Sequence, residues 1–185
     1  MNSASAFFVR WRVRLSYPLA ILVLWFARPT PRSILWAAPI GVLGLLIRSL
    51  AAGHLRKQEV LTVTGPYAYT RNPLYFGSAI LAIAAGVAAH SWISAIILCG
   101  YFALFYSIVM RREESELRQR HAAAFDEYAK VVPLFVPRLT PTKLSFAATG
   151  AFSVAQYKKN HEYQAAIGFL LLLGVLLLIW WLRLR

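Results

Sequence analysis

Cysteine and acidic side chains are scarce in this chain of 185 residues. Its one cysteine, Cys99, excludes a disulfide within the chain. Only seven Asp and Glu residues oppose 20 Lys and Arg residues, which gives a formal net charge of +13. So basic a chain raises the question of nucleic-acid binding, but the arginines flank apolar segments, where they anchor helices to anionic lipid headgroups. We therefore predict neither a nucleic-acid partner nor a metal site.

Hydrophobic residues make up 59% of the chain, and the mean hydropathy is +0.55. This composition indicates that the bilayer is the solvent. Only His90 and Ser91 separate two of the apolar segments, which predicts a tight helical hairpin over 74–110. We predict an all-α integral membrane protein with about five transmembrane helices, or four if the first segment is too short. The five segments are 15–27, 33–53, 74–89, 92–110 and 165–182.

The charges also predict the organisation of the chain. No low-complexity linker or repeat interrupts it, so residues 1–185 are predicted to form a single domain. All seven acidic residues and more than half of the Lys and Arg residues lie in 51–73 and 111–162. By the positive-inside rule these two loops face the cytoplasm. We expect a cytoplasmic helical region there.

The run from Gly65 to Gly77 combines turn and helix-start signals. Gly65-Pro66 is typical of a turn, and Asn72-Pro73 is typical of a helix start, because Asn is a good N-cap and Pro suits the first helical position. The helix that follows rises about 25 Å and its partner returns by a similar length. That return is predicted to bring Glu113 and Glu114 back beside Arg71.

Beyond Glu113 the returning helix is predicted to leave the membrane and to end before Pro133. The helical period places one set of its side chains near one stripe and another set largely on other faces. The stripe holds Glu113, Leu117, His121, Phe125 and Tyr128, and the other set holds Arg118, Arg120, Asp126 and Glu127.

The residues at the helix start and at the end of the returning helix suit a small ligand that carries both negatively and positively charged groups. A helix start and Arg71 favour a carboxylate or phosphate, whereas Glu113 and Glu114 suit an ammonium or a ribose diol. Tyr67, Tyr69 and Tyr75 offer aromatic faces that tolerate a cation. S-adenosylmethionine carries all of these groups. The same residues also fit an interfacial ion pair that closes the hairpin, with tyrosines of the membrane belt.

Two motifs in register resemble the isoprenylcysteine carboxyl methyltransferase and phospholipid methyltransferase superfamily. The first is Gly65-Pro66-Tyr67, Arg71-Asn72-Pro73, Tyr75 and Gly77. The second begins with Glu113-Glu114 and continues through Leu117, His121-Ala122, Phe125, Tyr128 and Val132-Pro133. The resemblance covers about residues 51–141 and is strongest to bacterial members, which carry Arg-Asn-Pro where eukaryotic enzymes have Arg-His-Pro. The chain departs from the family pattern at His121-Ala122, where the family has Phe-Gly.

The resemblance implies an integral membrane methyltransferase that uses S-adenosylmethionine on a lipophilic acceptor, such as an isoprenoid, a prenylcysteine-like compound or a lipid. It implies a bacterial inner-membrane protein whose active site faces the cytoplasm, with membrane lipids around it and no obligate protein partner. The acceptor is expected to enter from the bilayer. The residues that match the family's cofactor contacts are Tyr67, Arg71, Asn72, Pro73, Tyr75, Glu113 and Glu114.

Methyl transfer from a sulfonium needs alignment and a dry site more than a strong base. Asn72 cannot titrate, so the base expected at the family's histidine position is lost. Several polar groups are expected near the cytoplasmic end of the hairpin. We predict Arg71, Glu162 and His54 among them as catalytic residues, and the others are Arg56, Lys57, Glu59 and His161. The acceptor, and the atom that is methylated, have no signal in the sequence.

Two other functions fit parts of the pattern. A membrane reductase that uses NADPH shares a similar motif, usually followed by Gly-Glu, whereas Ser78 follows Gly77 here. A non-enzymatic membrane protein such as a transporter subunit is the other alternative. Transport predicts ionisable groups near the bilayer midplane, and segments 74–110 and 165–182 carry none in their middles.

Overall fold

The computed structural model describes residues 3–56, 60–144 and 150–185, with side chains described from Arg14 onward. These ranges contain helices and no strands. The elements in chain order are α1 (Ser3–Phe26), α2 (Pro31–His54), a 3₁₀ helix (Gly65–Ala68), α3 (Pro73–Ala89), α4 (Trp92–Val131), α5 (Val154–Lys159) and α6 (Tyr163–Leu182). The predicted all-α class is confirmed for the described part of the chain.

Three of these helices are long and apolar enough to cross a membrane: α2, α4 and α6. Two shorter apolar helical stretches, Arg14–Phe26 and Pro73–Ala89, coincide with the remaining predicted segments. A span needs about 20 apolar residues at 1.5 Å per residue, which is why the shorter two fall below that length. Length and composition thus support three spans.

The chain divides into two compact units. Unit 1 consists of Met1–Val42, Ala79–Arg112 and Ile167–Arg185, and unit 2 consists of Leu43–Ser78 and Glu113–Ala166. In unit 1 the buried core is rich in alanine, which lets helix backbones approach closely. That core contains Ala27, Ile34, Ala37, Ala88, Ala89 and Leu176.

The helix ends within unit 1 follow from local hydrogen bonds. Before α2, Thr30 and Ser33 cap each other, because each backbone N–H donates to the other's hydroxyl oxygen at 3.0 Å. Between α3 and α4 the chain turns over His90 and Ser91, with His90 at φ 47°. The backbone N–H of His90 donates to the carbonyl of Val87 at 3.1 Å. The predicted tight hairpin is confirmed.

Unit 2 has an aromatic core and one very close helix contact. Val63, Phe125, Tyr128 and Val132 are almost fully buried together. A Cβ atom added at Gly77 would lie 2.6 Å from Cγ of Arg48 and 2.8 Å from the carbonyl oxygen of Gly44. Glycine at position 77 is therefore what allows α3 to approach α2 this closely.

Helix α4 runs on beyond its apolar part and ends at Val131, before Pro133 as predicted. It is interrupted at Ala122, which has φ 35° and ψ −112°. A side chain is strained in this conformation, whereas glycine adopts it freely. Glycine, the residue that the family pattern has at the position of Ala122, would adopt this conformation without that strain.

Replacing Ala122 with glycine is expected to stabilise the protein by about 1 kcal/mol, because it removes backbone strain of that order. The matched control is A123G, since Ala123 is its exposed helical neighbour. This control should destabilise by about 0.5–1 kcal/mol. Thermal unfolding midpoints in detergent micelles measure both. A lower midpoint for A122G would show that the helix is not broken there.

Candidate functional site

Unit 2 contains a cavity of about 380 Å³. This volume is within the range of small-ligand sites, about 300–1,000 Å³. Its lining combines charged groups of both signs with aromatic and aliphatic side chains. The lining residues are Leu55, Arg56, Val60, Leu61, Thr62, Tyr67, Arg71, Asn72, Pro73, Leu74, Tyr75, Glu113, Glu114, Glu116, Leu117, Arg120, His121, Phe125 and Tyr128.

The segment that carries Tyr67 and Arg71 into the cavity lining begins with a glycine-dependent turn. Gly65 has φ 59°, and a Cβ atom there would lie 2.6 Å from the ring of His54. The 3₁₀ helix Gly65–Ala68 follows and buries Tyr67. Both the positive φ and the close ring therefore require glycine at the turn.

Residues 68–72 are held by the segment that follows α4. The buried Thr70 donates its hydroxyl to the carbonyl of Phe135 at 2.9 Å. Backbone groups of both segments take part, and we call this set of hydrogen bonds between residues 68–72 and 133–142 the segment contact. Its other bonds are Arg71 N to Pro133 O at 2.9 Å, Arg138 N to Tyr69 O at 3.0 Å and Thr142 N to Ala68 O at 3.0 Å.

Asn72 immediately precedes α3, as predicted, and its backbone carbonyl accepts from the N–H of Phe76 at 3.0 Å. Its side-chain amide, however, donates to the carbonyl of Leu134 at 3.0 Å. Its backbone N–H donates to Thr70 Oγ1 at 3.3 Å. The backbone N–H groups of Arg71 and Asn72 are thus already used, and the guanidinium of Arg71 is a side-chain anion donor at this helix start.

Arg71 and Glu114 form an ion pair within the cavity lining. Their side chains are only 15% and 19% exposed, so water screens the pair weakly. The Nε atom of Arg71 is buried and has no hydrogen-bond partner among the described residues. A buried N–H without an acceptor costs about 1–3 kcal/mol, and an acceptor atom of a ligand can remove that cost.

Glu114 lies beside Arg71, as the hairpin geometry predicted, and Glu113 contacts the neighbouring Tyr75. The hydroxyl of Tyr75 donates to Oε1 of Glu113 at 2.5 Å. The predicted stripe also lines the cavity, with Leu117, His121 and Phe125 among its members. The expectation that Arg120 lies on another face was wrong, since Arg120 lines the cavity as well.

Tyr67 is 7% exposed and lines the cavity. Burial raises the pKa of its phenol well above the ordinary value, and the neighbouring Tyr128 and Glu113 raise it further. The phenol therefore stays protonated at neutral pH and can donate a hydrogen bond. The hydroxyl of Tyr128 donates to the backbone carbonyl of Tyr67 at 2.8 Å, which holds this residue in place.

Two predicted catalytic residues lie outside the cavity lining. His54 Nδ1 lies 2.8 Å from the carbonyl oxygen of Leu50, and its ring packs edge-on against Phe152 with centroids 6.1 Å apart. Glu162 is paired with Arg48, with 2.5 Å between Nε and Oε1 and 3.1 Å between Nη2 and Oε2. Their catalytic roles stay predictions.

Sequence reasoning missed Arg48. It is an arginine inside an apolar segment, a placement that marks a functional or paired side chain, and its guanidinium also donates to Ser78 Oγ. Lys57 and Glu59, two other candidates, lie outside the described residues. In the described ranges no group of three or more His, Cys, Asp or Glu side chains could hold a metal ion.

Comparison with known proteins gives one family and two relatives. The sequence model of the phospholipid methyltransferase family matches residues 40–123. The nickel-cobalt-cadmium resistance protein NccN of Alcaligenes xylosoxydans xylosoxydans is 34% identical over 139 residues, which is 70% of this chain and 64% of the relative. The cobalt-zinc-cadmium resistance protein CzcN of Cupriavidus metallidurans is 34% identical over 140 residues, 70% of this chain and 63% of the relative.

The chain thus spans less than two thirds of the length of these curated relatives. No solved structure gives a significant match. The matched segment 40–123 includes Arg71, Asn72, Tyr75, Glu113 and Glu114, all of which line the cavity. Residues 40–123 therefore carry the sequence pattern of the phospholipid methyltransferase family, which confirms the resemblance first indicated by the two motifs.

Proposed function

We propose that the protein transfers a methyl group from S-adenosylmethionine to a lipophilic acceptor that reaches the site from the bilayer. The observation that carries this proposal is the cavity of unit 2. Within the family-matched segment it brings together the Arg71–Glu114 pair and the Tyr75–Glu113 contact. The charge pattern of the loops supports an active site on the cytoplasmic side of a bacterial inner membrane.

The donor and acceptor groups of the cavity fit this cofactor. The unpartnered Nε of Arg71 would donate to a carboxylate. Glu113 and Glu114 would accept from an ammonium or from ribose hydroxyls. Tyr67 and Tyr75 present aromatic rings, which tolerate a neighbouring cation. S-adenosylmethionine supplies a methyl group on a positively charged sulfur, which makes that methyl electrophilic.

The role of the chain's own residues is then to bind, orient and exclude water. The aliphatic wall of Leu55, Val60 and Leu61 suits an apolar ligand part. The raised pKa of Tyr67 keeps its phenol neutral, so it donates a hydrogen bond and does not act as a base. Arg71 would act mainly by positioning, which is the largest need of an in-line transfer. Glu162 and His54 remain weaker catalytic proposals because they lie outside the cavity lining.

Replacing Glu114 with alanine is expected to weaken cofactor binding by about tenfold or more, because it removes a charge-assisted acceptor and leaves Arg71 unpaired. Calorimetric titration of the detergent-purified protein with S-adenosylhomocysteine measures the loss. The matched control is E127A, since Glu127 lies exposed on the same helix and outside the cavity lining. This control should bind as the unchanged protein does.

The same titration separates the proposal from its rivals. Binding of S-adenosylhomocysteine without binding of NADPH supports the methyltransferase. Binding of NADPH alone supports a membrane reductase. Binding of neither, by a protein that unfolds cooperatively, leaves a non-enzymatic role. Equal affinity in folded E114A and E127A would contradict the assignment of Glu114.

The acceptor can be identified by its label. Membranes that contain the protein, incubated with cofactor carrying a radiolabelled methyl group, are expected to yield a labelled compound in the organic phase of a lipid extract. The E114A protein should yield at most about a tenth of that label at limiting cofactor, in line with its weaker binding. Label found only in the aqueous phase would contradict a lipophilic acceptor.

A second candidate function comes from the relatives' names, which refer to resistance to nickel, cobalt, zinc and cadmium. We propose that the methyl transfer contributes to tolerance of such cations. Deleting the gene in its host should then lower the cobalt, nickel or cadmium concentration that permits growth. Complementation with the unchanged gene should restore growth, and E114A should not. Full rescue by E114A would separate metal tolerance from cofactor binding.

A further inference from the structure

We propose that unit 1 binds an anionic glycerophospholipid in a groove of about 940 Å³ that lies among α2, α3 and α4. The groove is distinct from the cavity of unit 2 and shares no lining residue with it. It begins at the turn between α3 and α4 and continues along both helices. Its polar groups and its apolar groups lie in different parts of the lining.

The polar end lies at the start of α2 and at the helix turn. Arg32 and His90 are exposed there and line the groove. Thr30 and Ser33 also line it, but they are used by the helix cap, and Ser33 Oγ lies 3.1 Å from the carbonyl oxygen of Ala88. The basic side chains at this end are therefore those of Arg32 and His90.

Charge complementarity identifies the headgroup. No Asp or Glu occurs in the segments that make up unit 1, because all seven acidic residues belong to unit 2. Arg32 makes no ion pair with any described residue. An anionic phosphate can supply the missing partner, because its oxygens accept charge-assisted hydrogen bonds from a guanidinium. The ammonium of a zwitterionic headgroup would find no carboxylate in this unit.

The rest of the groove suits an acyl chain. Ala82 and Gly86 of α3 and Ala95 and Cys99 of α4 line this part. A Cβ atom added at Gly86 would lie only 3.4 Å from Cβ of Ala95, so these small side chains form a closed apolar floor over which an acyl chain could lie. From the turn to Cys99 the groove follows α4 for about 10 Å.

Two tryptophans mark the depth of the polar end. Trp36 and Trp92 line the groove and are 70% and 74% exposed. Tryptophan is enriched where headgroups meet the hydrocarbon. The polar end thus matches headgroup depth, and Cys99 lies where an acyl chain would run.

The chain carries its own reporter for this site, because Cys99 is its one cysteine, is exposed and lines the groove. The experiment follows alkylation of Cys99 by N-ethylmaleimide in nonionic detergent, read by intact-protein mass spectrometry. Phosphatidylglycerol at ten times its dissociation constant should slow alkylation about tenfold, since only the unoccupied fraction reacts. Phosphatidylcholine at the same concentration should slow it less than twofold.

Two arginine variants separate binding from a general effect of lipid charge on the thiol. In R32Q the protection by phosphatidylglycerol should fall to the level seen with phosphatidylcholine. In R28Q it should persist, because Arg28 is exposed nearby but does not line the groove. Equal protection by the two lipids, protection by neither, or the same loss in both variants would overturn the proposal. The cofactor titration is independent of this outcome, since it reports on unit 2.

Discussion

The ion pair between Arg71 and Glu114 is the contact on which the cavity of unit 2 depends. It joins residues 43 positions apart in the chain, one just before α3 and one on α4. Removing either partner of a weakly exposed pair leaves a charge without compensation, which is costly. The pair also leaves one buried guanidinium nitrogen without an acceptor among the described residues. Such a donor costs the folded state about 1–3 kcal/mol as long as no acceptor reaches it.

The pair can be held in place only because backbone bonds fix its surroundings. The segment contact between residues 68–72 and 133–142 consists of hydrogen bonds that use carbonyl and amide groups of both segments. The core of Val63, Phe125, Tyr128 and Val132 adds to this support, since the hydroxyl of Tyr128 donates to the carbonyl of Tyr67. Groups that must meet a ligand with small positional error are best supported in this way, by neighbours whose own conformations are fixed. The side chains that line the cavity are therefore positioned by hydrogen bonds that come mostly from the backbone.

Local signals in the sequence predicted much of this arrangement. Asn72-Pro73 indicated the start of α3, the two-residue gap at His90-Ser91 indicated the hairpin, and the helical period indicated the stripe on α4. Arg120 was misplaced although the helical period predicts its position, since it lies seven residues after Glu113 and therefore only about 20° from it around the helix. The strained conformation of Ala122 carries no local signal, since alanine is a strong helix former.

Local sequence patterns could not predict the Arg48–Glu162 ion pair, for another reason. Its members are 114 residues apart and belong to segments without a shared period or motif. A single arginine in an apolar segment signals that a partner exists, but it does not say which of seven acidic residues that partner is. Long-range pairing of this kind follows from the packing of the helices, which the sequence pattern does not determine.

Substitutions at Gly77 are expected to disrupt the Arg48–Glu162 ion pair, although Gly77 carries no charge. Since the arginine stem runs directly past the glycine, any larger residue at 77 must displace the stem and with it the guanidinium that Glu162 and Ser78 receive. An uncharged substitution would then produce the phenotype of a charge loss. A shorter side chain at position 48 could not compensate, because a Cβ atom at 77 would still lie 2.8 Å from the carbonyl oxygen of Gly44, and the buried Glu162 would still lack its arginine.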